Sequence, residues 1–481
     1  MSTKFLRLFL VGVFALFLTA CNNYGGVVYN DVEYENGDLA QFTISFDVAN
    51  YLLERLDTIL DADGGSHWGI SLRGPVVIAD VVTRYAVANM PDEDGTIFTR
   101  RGDIYVGRLP EGTHIGNTAS YFGGRLWGMI TLGLIEANSD NLEWVTDILL
   151  HELFHAKQQY IFEGERSHTG INPPHIRELD SRISIRLEIN ALLAALHATT
   201  EDERLENVHD ALSIRAERRR LTDMNAALYE ISFELLEGTA VYTEAVLGRN
   251  SLNDRIALVE RYIAIDSDNV VEQFGYYSGA LYALLLDEFA IDWRSGLNWG
   301  DDLALLMKNG LGISEVKPID AVDLERYGYS VIRLFEEEWV AESKRLTQEA
   351  QSALSGSLLL IDAMGEFGQG HDEDVRILFL ESLNVHAYDE FDYGDDEVFL
   401  LGLSDERTVF YGNFSYTAEF GELEFTDGFL MLWRAMWRHG IPAYSMEVDG
   451  NRIVGSNWVL TLNEGFGLRE ISGGHFAIER Q

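Results

Sequence analysis

Apolar positions recur at two different periods along this chain, and the switches between them divide it. Val48, Leu52, Leu53, Leu56 and Ile59 repeat at helical spacing and predict a packing helix over Phe46–Ile59, stopped by Gly64-Gly65. From 66 to 135 the runs become short and strand-like. Pro75-Val76-Val77-Ile78-Ala79, Arg84-Tyr85-Ala86-Val87-Ala88, Asp103-Ile104-Tyr105-Val106 and Leu126–Leu132 are separated by glycines, Pro91 and Pro110. Helical spacing returns over 141–354, with helices expected near 141–163, 176–198, 201–221, 223–247, 252–264, 269–290, 299–308 and 319–354; Pro173-Pro174 parts the first two. After Ser355 strands are expected at Arg376–Leu380, Glu397–Leu401, Thr408–Tyr411, Tyr444–Val448, Trp458–Leu462 and His475–Ile478, with a helix at Phe429–Arg438. The pattern is that of an α+β protein with a β-rich C-terminal part.

The helix expected at 141–163 carries His151-Glu152-Leu153-Phe154-His155. Two histidines four apart stand one above the other on a helix face and can hold one Zn²⁺; Glu152 beside them can take a proton from a water held there. The flanks support a helix. Asp140-x-x-Glu143 has the form of a capping box, and Trp144, Val145, Ile148, Leu149, Phe154 and Ala156 give an apolar face. A small sheet just before such a helix offers an edge on which an extended peptide can pair. Trp127–Leu132 is the nominated edge, and a buried core strand fits the same residues equally well.

Catalytic zinc usually takes three protein ligands and leaves a position for water. The pattern HExxHxxGxxH fails at Gln158 and Ile161, and a glutamate nineteen residues past the second histidine fails at Pro174; Glu178 lies further on, but Arg182 follows it. The best candidate is Glu237, in Phe233-Glu234-Leu235-Leu236-Glu237-Gly238-Thr239-Ala240-Val241-Tyr242, with Glu188 as rival. Glu-Gly-x-Ala-x-Tyr resembles the glutamate helix of gluzincin metallopeptidases. The resemblance implies a zincin-like catalytic domain with Zn²⁺ on His151, His155 and Glu237, and Glu152 as general base in peptide hydrolysis. It also implies a donor for the oxyanion from a later helix, for which Phe274-Gly275-Tyr276-Tyr277-Ser278-Gly279-Ala280 offers Tyr277 or Tyr276. Gly238 is expected where a side chain would crowd the metal helix. Glu237 stands 82 positions after His155, so the helices at 176–221 would fold as an insertion. A solvated helix position is the alternative for Glu237, and Glu230, Glu234 and Glu244 show that acids are common there; His168, His175, His197 and His209 read as surface histidines.

Charge and the N-terminus add a location. Lys4 and Arg7 precede an apolar run from Leu8 to Leu18, too short for a comfortable membrane span. Leu18-Thr19-Ala20-Cys21 resembles a bacterial lipobox, which implies cleavage before Cys21 and lipidation of its thiol. Cys21 is the single cysteine, so a disulfide within the chain is excluded. Asn22 in place of aspartate favours the outer membrane where one exists. With 78 acidic against 36 basic residues, of which five are lysine, the formal net charge is -42; such a surface repels nucleic acid and anionic headgroups. The expected layout is a signal peptide at 1–20, a tether and helix at 21–64 and the zincin-like domain at 65–250. A helical subdomain at 251–354 and a β-rich domain at 355–481 follow. Peptide or protein is the expected substrate, and the lipid anchor the one membrane contact. A catalytically inactive envelope lipoprotein that binds zinc, glycan or protein is the alternative.

Overall fold

Ser45 and Gly64 set the limits of the first helix, α1 (Phe46–Asp63). The Ser45 hydroxyl accepts from the Val48 amide, and Gly64 closes the helix at φ 59°, so α1 runs on past Ile59 to the glycine that can take the left-handed turn. In this computed structural model the described residues are 44–480 without 82, 111, 165–173, 223, 268, 355–357, 363–398, 405–406, 419–420, 434–437, 444–445 and 472–474. Cys21 with its signal, the tether expected between it and the first helix, His168 and the strand expected at Arg376–Leu380 lie outside them.

Six strands follow α1: β1 (Val76–Ala79), β2 (Tyr85–Ala88), β3 (Phe98–Arg101), β4 (Ile104–Arg108), β5 (Thr118–Phe122) and β6 (Arg125–Thr131). They form one sheet in the order β3-β4-β2-β1-β6-β5, antiparallel except for the β1–β6 pair. The strand nominated as the edge, β6, is therefore internal, and Trp127, Met129 and Ile130 are buried in it. The edges are β3 and β5; β5, beside β6, is concealed in the sequence because Thr118-Ala119-Ser120-Tyr121-Phe122 is short and half polar. Val77, Ala79, Ala86, Phe98, Phe122, Trp127 and Met129 fill one face. The other face meets α3 (Leu142–Ile161) after the short α2 (Leu132–Ala137). Gly128 lets them meet: a Cβ there would lie 2.6 Å from the Leu153 amide nitrogen.

The cap of α3 is Asn141 rather than Asp140, its side chain accepting from the Trp144 amide at 3.3 Å. Then come α4 (Leu179–His197), α5 (Glu201–Leu221) and α6 (Met224–Phe233). A π-helical turn over Glu234–Gly238 leads into α7 (Thr239–Gly248), so the helix expected at 223–247 is present but interrupted by an uncommon wide turn. The remaining helices are α8 (Leu252–Ile265), α9 (Phe274–Glu288), α10 (Leu303–Gly310) and α11 (Tyr329–Leu354). Gly238 does have a close neighbour, but it is α9 rather than the histidine helix: a Cβ there would lie 2.5 Å from Gly279 Cα and 2.6 Å from Gly275 O. Trp68 ties the segment before the sheet to these helices. Its ring packs on Phe154, Phe162, Tyr242 and Trp293, and its Nε1 donates to Thr243 Oγ1 at 3.1 Å.

The C-terminal part is β-rich, as the pattern indicates. Its strands are β7 (Leu358–Asp362), β8 (Phe399–Ser404), β9 (Arg407–Ala418), β10 (Gly421–Trp433), β11 (Arg438–Pro442), β12 (Glu447–Asp449), β13 (Arg452–Val454), β14 (Trp458–Leu462), β15 (Phe466–Ile471) and β16 (His475–Arg480). The path is β12-β13-β14-β10-β11-β7-β16-β15, with β9 on β10 and β8 on β9. Leu359, Leu423, Phe425, Ile441, Ile453, Trp458, Leu460 and Leu462 form its core. The helix expected at Phe429–Arg438 is overturned: Phe429–Trp433 is the end of β10, paired with Arg407–Tyr411, and β11 begins at Arg438. Tertiary pairing overrides a run whose composition suits either state.

Gly128→Ala is expected to cost about 1–3 kcal/mol, because the added methyl meets backbone rather than a movable side chain; a lowered urea midpoint with unchanged circular dichroism checks it. His67, half-buried beside Tyr242, has its pKa pushed down to about 4 by burial and then by Arg294. The unfolded chain binds that proton near pH 6.5 and the folded chain does not, so stability is kept above that pH and falls as pH drops toward 4. His67→Gln should flatten this part of the profile, measured as unfolding midpoint against pH.

Candidate metal centre

His151 and His155 project from one face of α3, and the π turn brings Glu237 to meet them. His155 Nε2 lies 2.9 Å from His151 Nε2 and 3.1 Å from Glu237 Oε2, and His151 Nε2 lies 3.4 Å from the same oxygen. No other group of histidines, cysteines and acids among the described residues could hold a metal in this way. The three expected ligands are thus brought together across 82 residues.

The next layer decides which nitrogens face inward. His151 Nδ1 meets Glu244 Oε1, and Tyr262 OH donates to the other oxygen, Oε2, at 2.7 Å. A carboxylate only accepts, so Nδ1 carries the proton and Nε2 keeps its lone pair. His155 is fixed similarly by Gln158. The Gln158 amide nitrogen donates to Leu236 O at 2.7 Å and Leu235 O at 3.3 Å, in the π turn itself. Its oxygen then faces His155 Nδ1 at 2.9 Å, so this nitrogen too must donate. Two imidazole lone pairs and a carboxylate oxygen consequently converge with no donor among them.

Such a set fits a divalent cation. Tetrahedral zinc with bonds of about 2.0–2.1 Å requires ligand atoms about 3.3–3.4 Å apart, close to the three distances here. The electrostatics agree. Burial alone would raise the Glu237 carboxyl, but the two histidines outweigh it and hold it well below the usual carboxylate range. Burial disfavours charge on His151, yet Glu244 and Glu237 outweigh it and raise its pKa. Glu152 is 6 % exposed, and burial, with Glu237 and Glu244 adding to it, pushes its pKa up to about 7. That value suits a group that takes and returns a proton near neutrality.

Two expected residues are elsewhere. Tyr277 is buried with its hydroxyl donated to Asp266, and burial and that carboxylate raise its pKa. Its neighbour Tyr276 stands by the cluster, its ring stacked 6.0 Å from that of His151 at 19°. Glu188 is not at the centre: it binds Arg215, Arg218 and Tyr282. Glu178 is the exposed residue before α4. The acids around Glu237 are all buried: Glu230 and Glu234 face arginines of α5, and Glu244 faces His151. His175 is buried against Glu230 at 2.9 Å, while His197 is exposed and pairs with Glu260. Glu244, Gln158 and Tyr262 escaped the sequence reading. The available signal was spacing, Glu244 seven residues after Glu237 and Gln158 three after His155.

Glu244→Gln is expected to weaken zinc binding about 10–100-fold with the fold intact, checked by competition against a chromophoric chelator. No protein-family model, curated protein or solved structure matches the chain.

Proposed function

We propose that the chain is a zinc-dependent peptide hydrolase of gluzincin type with a zincin-like catalytic part, tethered outside the cytoplasm by a lipid on Cys21. One observation carries the reading: His151, His155 and Glu237 converge as three acceptors with Glu152 buried beside them. Zn²⁺ held there would supply the Lewis acid that polarises a carbonyl and eases deprotonation of water.

The protein's own groups then do the following. Glu244 and Gln158 keep both imidazoles turned with Nε2 inward. Glu152 takes the proton from the attacking water and hands it to the leaving amine. Tyr276, beside His151, is better placed than Tyr277 to donate toward charge developing on the carbonyl oxygen. The peptide lies along β5, one of the two edge strands of the sheet. The pairing of Ala119 with Gly128 sets this strand beside Leu153 of α3, next to Glu152. The net charge of -42 argues against nucleic acid as substrate.

Residues 22–481 should contain about one zinc per chain, read by mass spectrometry, and cleave members of a peptide library. His155→Ala and Glu237→Ala should lose the metal. Glu152→Gln should keep it and lose about 10²–10⁴-fold in rate. Zinc without any cleavage would favour the catalytically inactive lipoprotein; no zinc after reconstitution would sink the hydrolase and leave an acidic envelope lipoprotein that binds glycan or protein.

A further inference from the structure

The hairpin of α4 and α5, inserted between His155 and Glu237, gives no atom to the acceptor cluster. It does place arginines against the helix that carries Glu237. Arg215 Nη1 donates to Glu234 Oε2 at 2.8 Å, and its Nη2 donates to Glu234 Oε1. Its Nε donates to Glu188, which also pairs with Arg218 at 2.7 Å and accepts the Tyr282 hydroxyl at 2.7 Å. Arg218 in turn donates to Glu230 at 2.6 Å. All of these charged groups are buried.

Glu234 opens the π turn and stands three residues before Glu237. A guanidinium fork on a carboxylate sets orientation as well as distance. A π turn is rare, and such a turn persists where its surroundings determine it. Gln158 holds the turn by its carbonyls, and Arg215 holds it by the Glu234 side chain. Ser278 of α9 adds a hydroxyl to the same carboxylate.

We propose that Arg215 is a positioning residue for Glu237: through Glu234 it fixes the π turn, and the turn fixes how the Glu237 carboxylate meets His151 and His155. The proposal rests on the zinc reading of that cluster. The α4–α5 insertion is then a brace for the third ligand.

The test separates metal affinity from stability. Arg215→Met combined with Glu234→Met removes both charges and keeps the space filled, so neither ion is left buried alone. Zinc affinity of the chain is measured by chelator competition beside urea unfolding and circular dichroism. A folded double variant binding zinc at least about tenfold more weakly is expected. Glu336→Gln, which loosens the buried Arg182–Glu336 pair between α4 and α11, should lose stability yet keep wild-type affinity. Wild-type affinity in the double variant overturns the proposal. Equal weakening in Glu336→Gln overturns it too, since the loss would then follow general stability. Should the double variant not fold, Glu234→Gln makes the same comparison, with weaker zinc binding expected and unchanged binding overturning. A wild-type chain that takes no zinc fails the metal reading itself, and the brace falls with it.

Discussion

Acceptors that face one another without a donor repel, and the centre of this protein is built on three of them. The Nε2 atoms of His151 and His155 and Oε2 of Glu237 are within 3.4 Å of each other. Something positive has to sit among them, a proton or a metal ion. The surrounding layers hold that arrangement in place. Glu244 and Gln158 occupy the outer nitrogens, so the rings cannot relieve the repulsion by turning their N–H groups inward. With no metal, the raised pKa of His151 is the same constraint expressed as proton affinity.

Glycine appears where backbones must touch. Gly128 lets the sheet reach α3 at Leu153, and Gly238 lets the π turn reach α9 at Gly275 and Gly279. Both contacts lie next to residues of the centre, Glu152 in the first case and Glu237 in the second. The two supports are of different kinds. On the sheet side a glycine meets helix backbone directly, whereas the hairpin side is a buried chain of arginines and glutamates whose members need one another.

Much of this was legible in the sequence, because periodicity reports which face of an element is buried. The helices of 141–265, the four strands with unbroken apolar runs and the β-rich C-terminal part were read from it. The histidine pair was legible because spacing on a helix is a local geometric fact, and Glu237 through the resemblance of Glu-Gly-x-Ala-x-Tyr to a gluzincin glutamate helix. What was missed has no local signature. β3 and β5 are strands by virtue of their neighbours, and Phe429–Trp433 is a strand because β9 pairs with it. The burial of Glu230, Glu234 and Glu244 has no mark in the sequence, since a glutamate looks the same whether it meets water or an arginine on another helix. Tyr276 and Tyr277 differ by one position, and only the packing of α9 decides which stands by His151.

The wide turn over Glu234–Gly238 has a consequence for the phase of its helix. Residues seven apart on an undisturbed α-helix lie within about 20° of one another, so Glu230, Glu237 and Glu244 would form one stripe facing one neighbour. Here the first faces arginines of α5 and the other two face histidines of α3. The turn acts as a swivel that lets a single helix present two polar stripes to two partners. Deleting one residue within it would rotate everything beyond by about 100° relative to what precedes. Either the brace or the centre would then lose its glutamates, while every side chain in the chain's vocabulary remained.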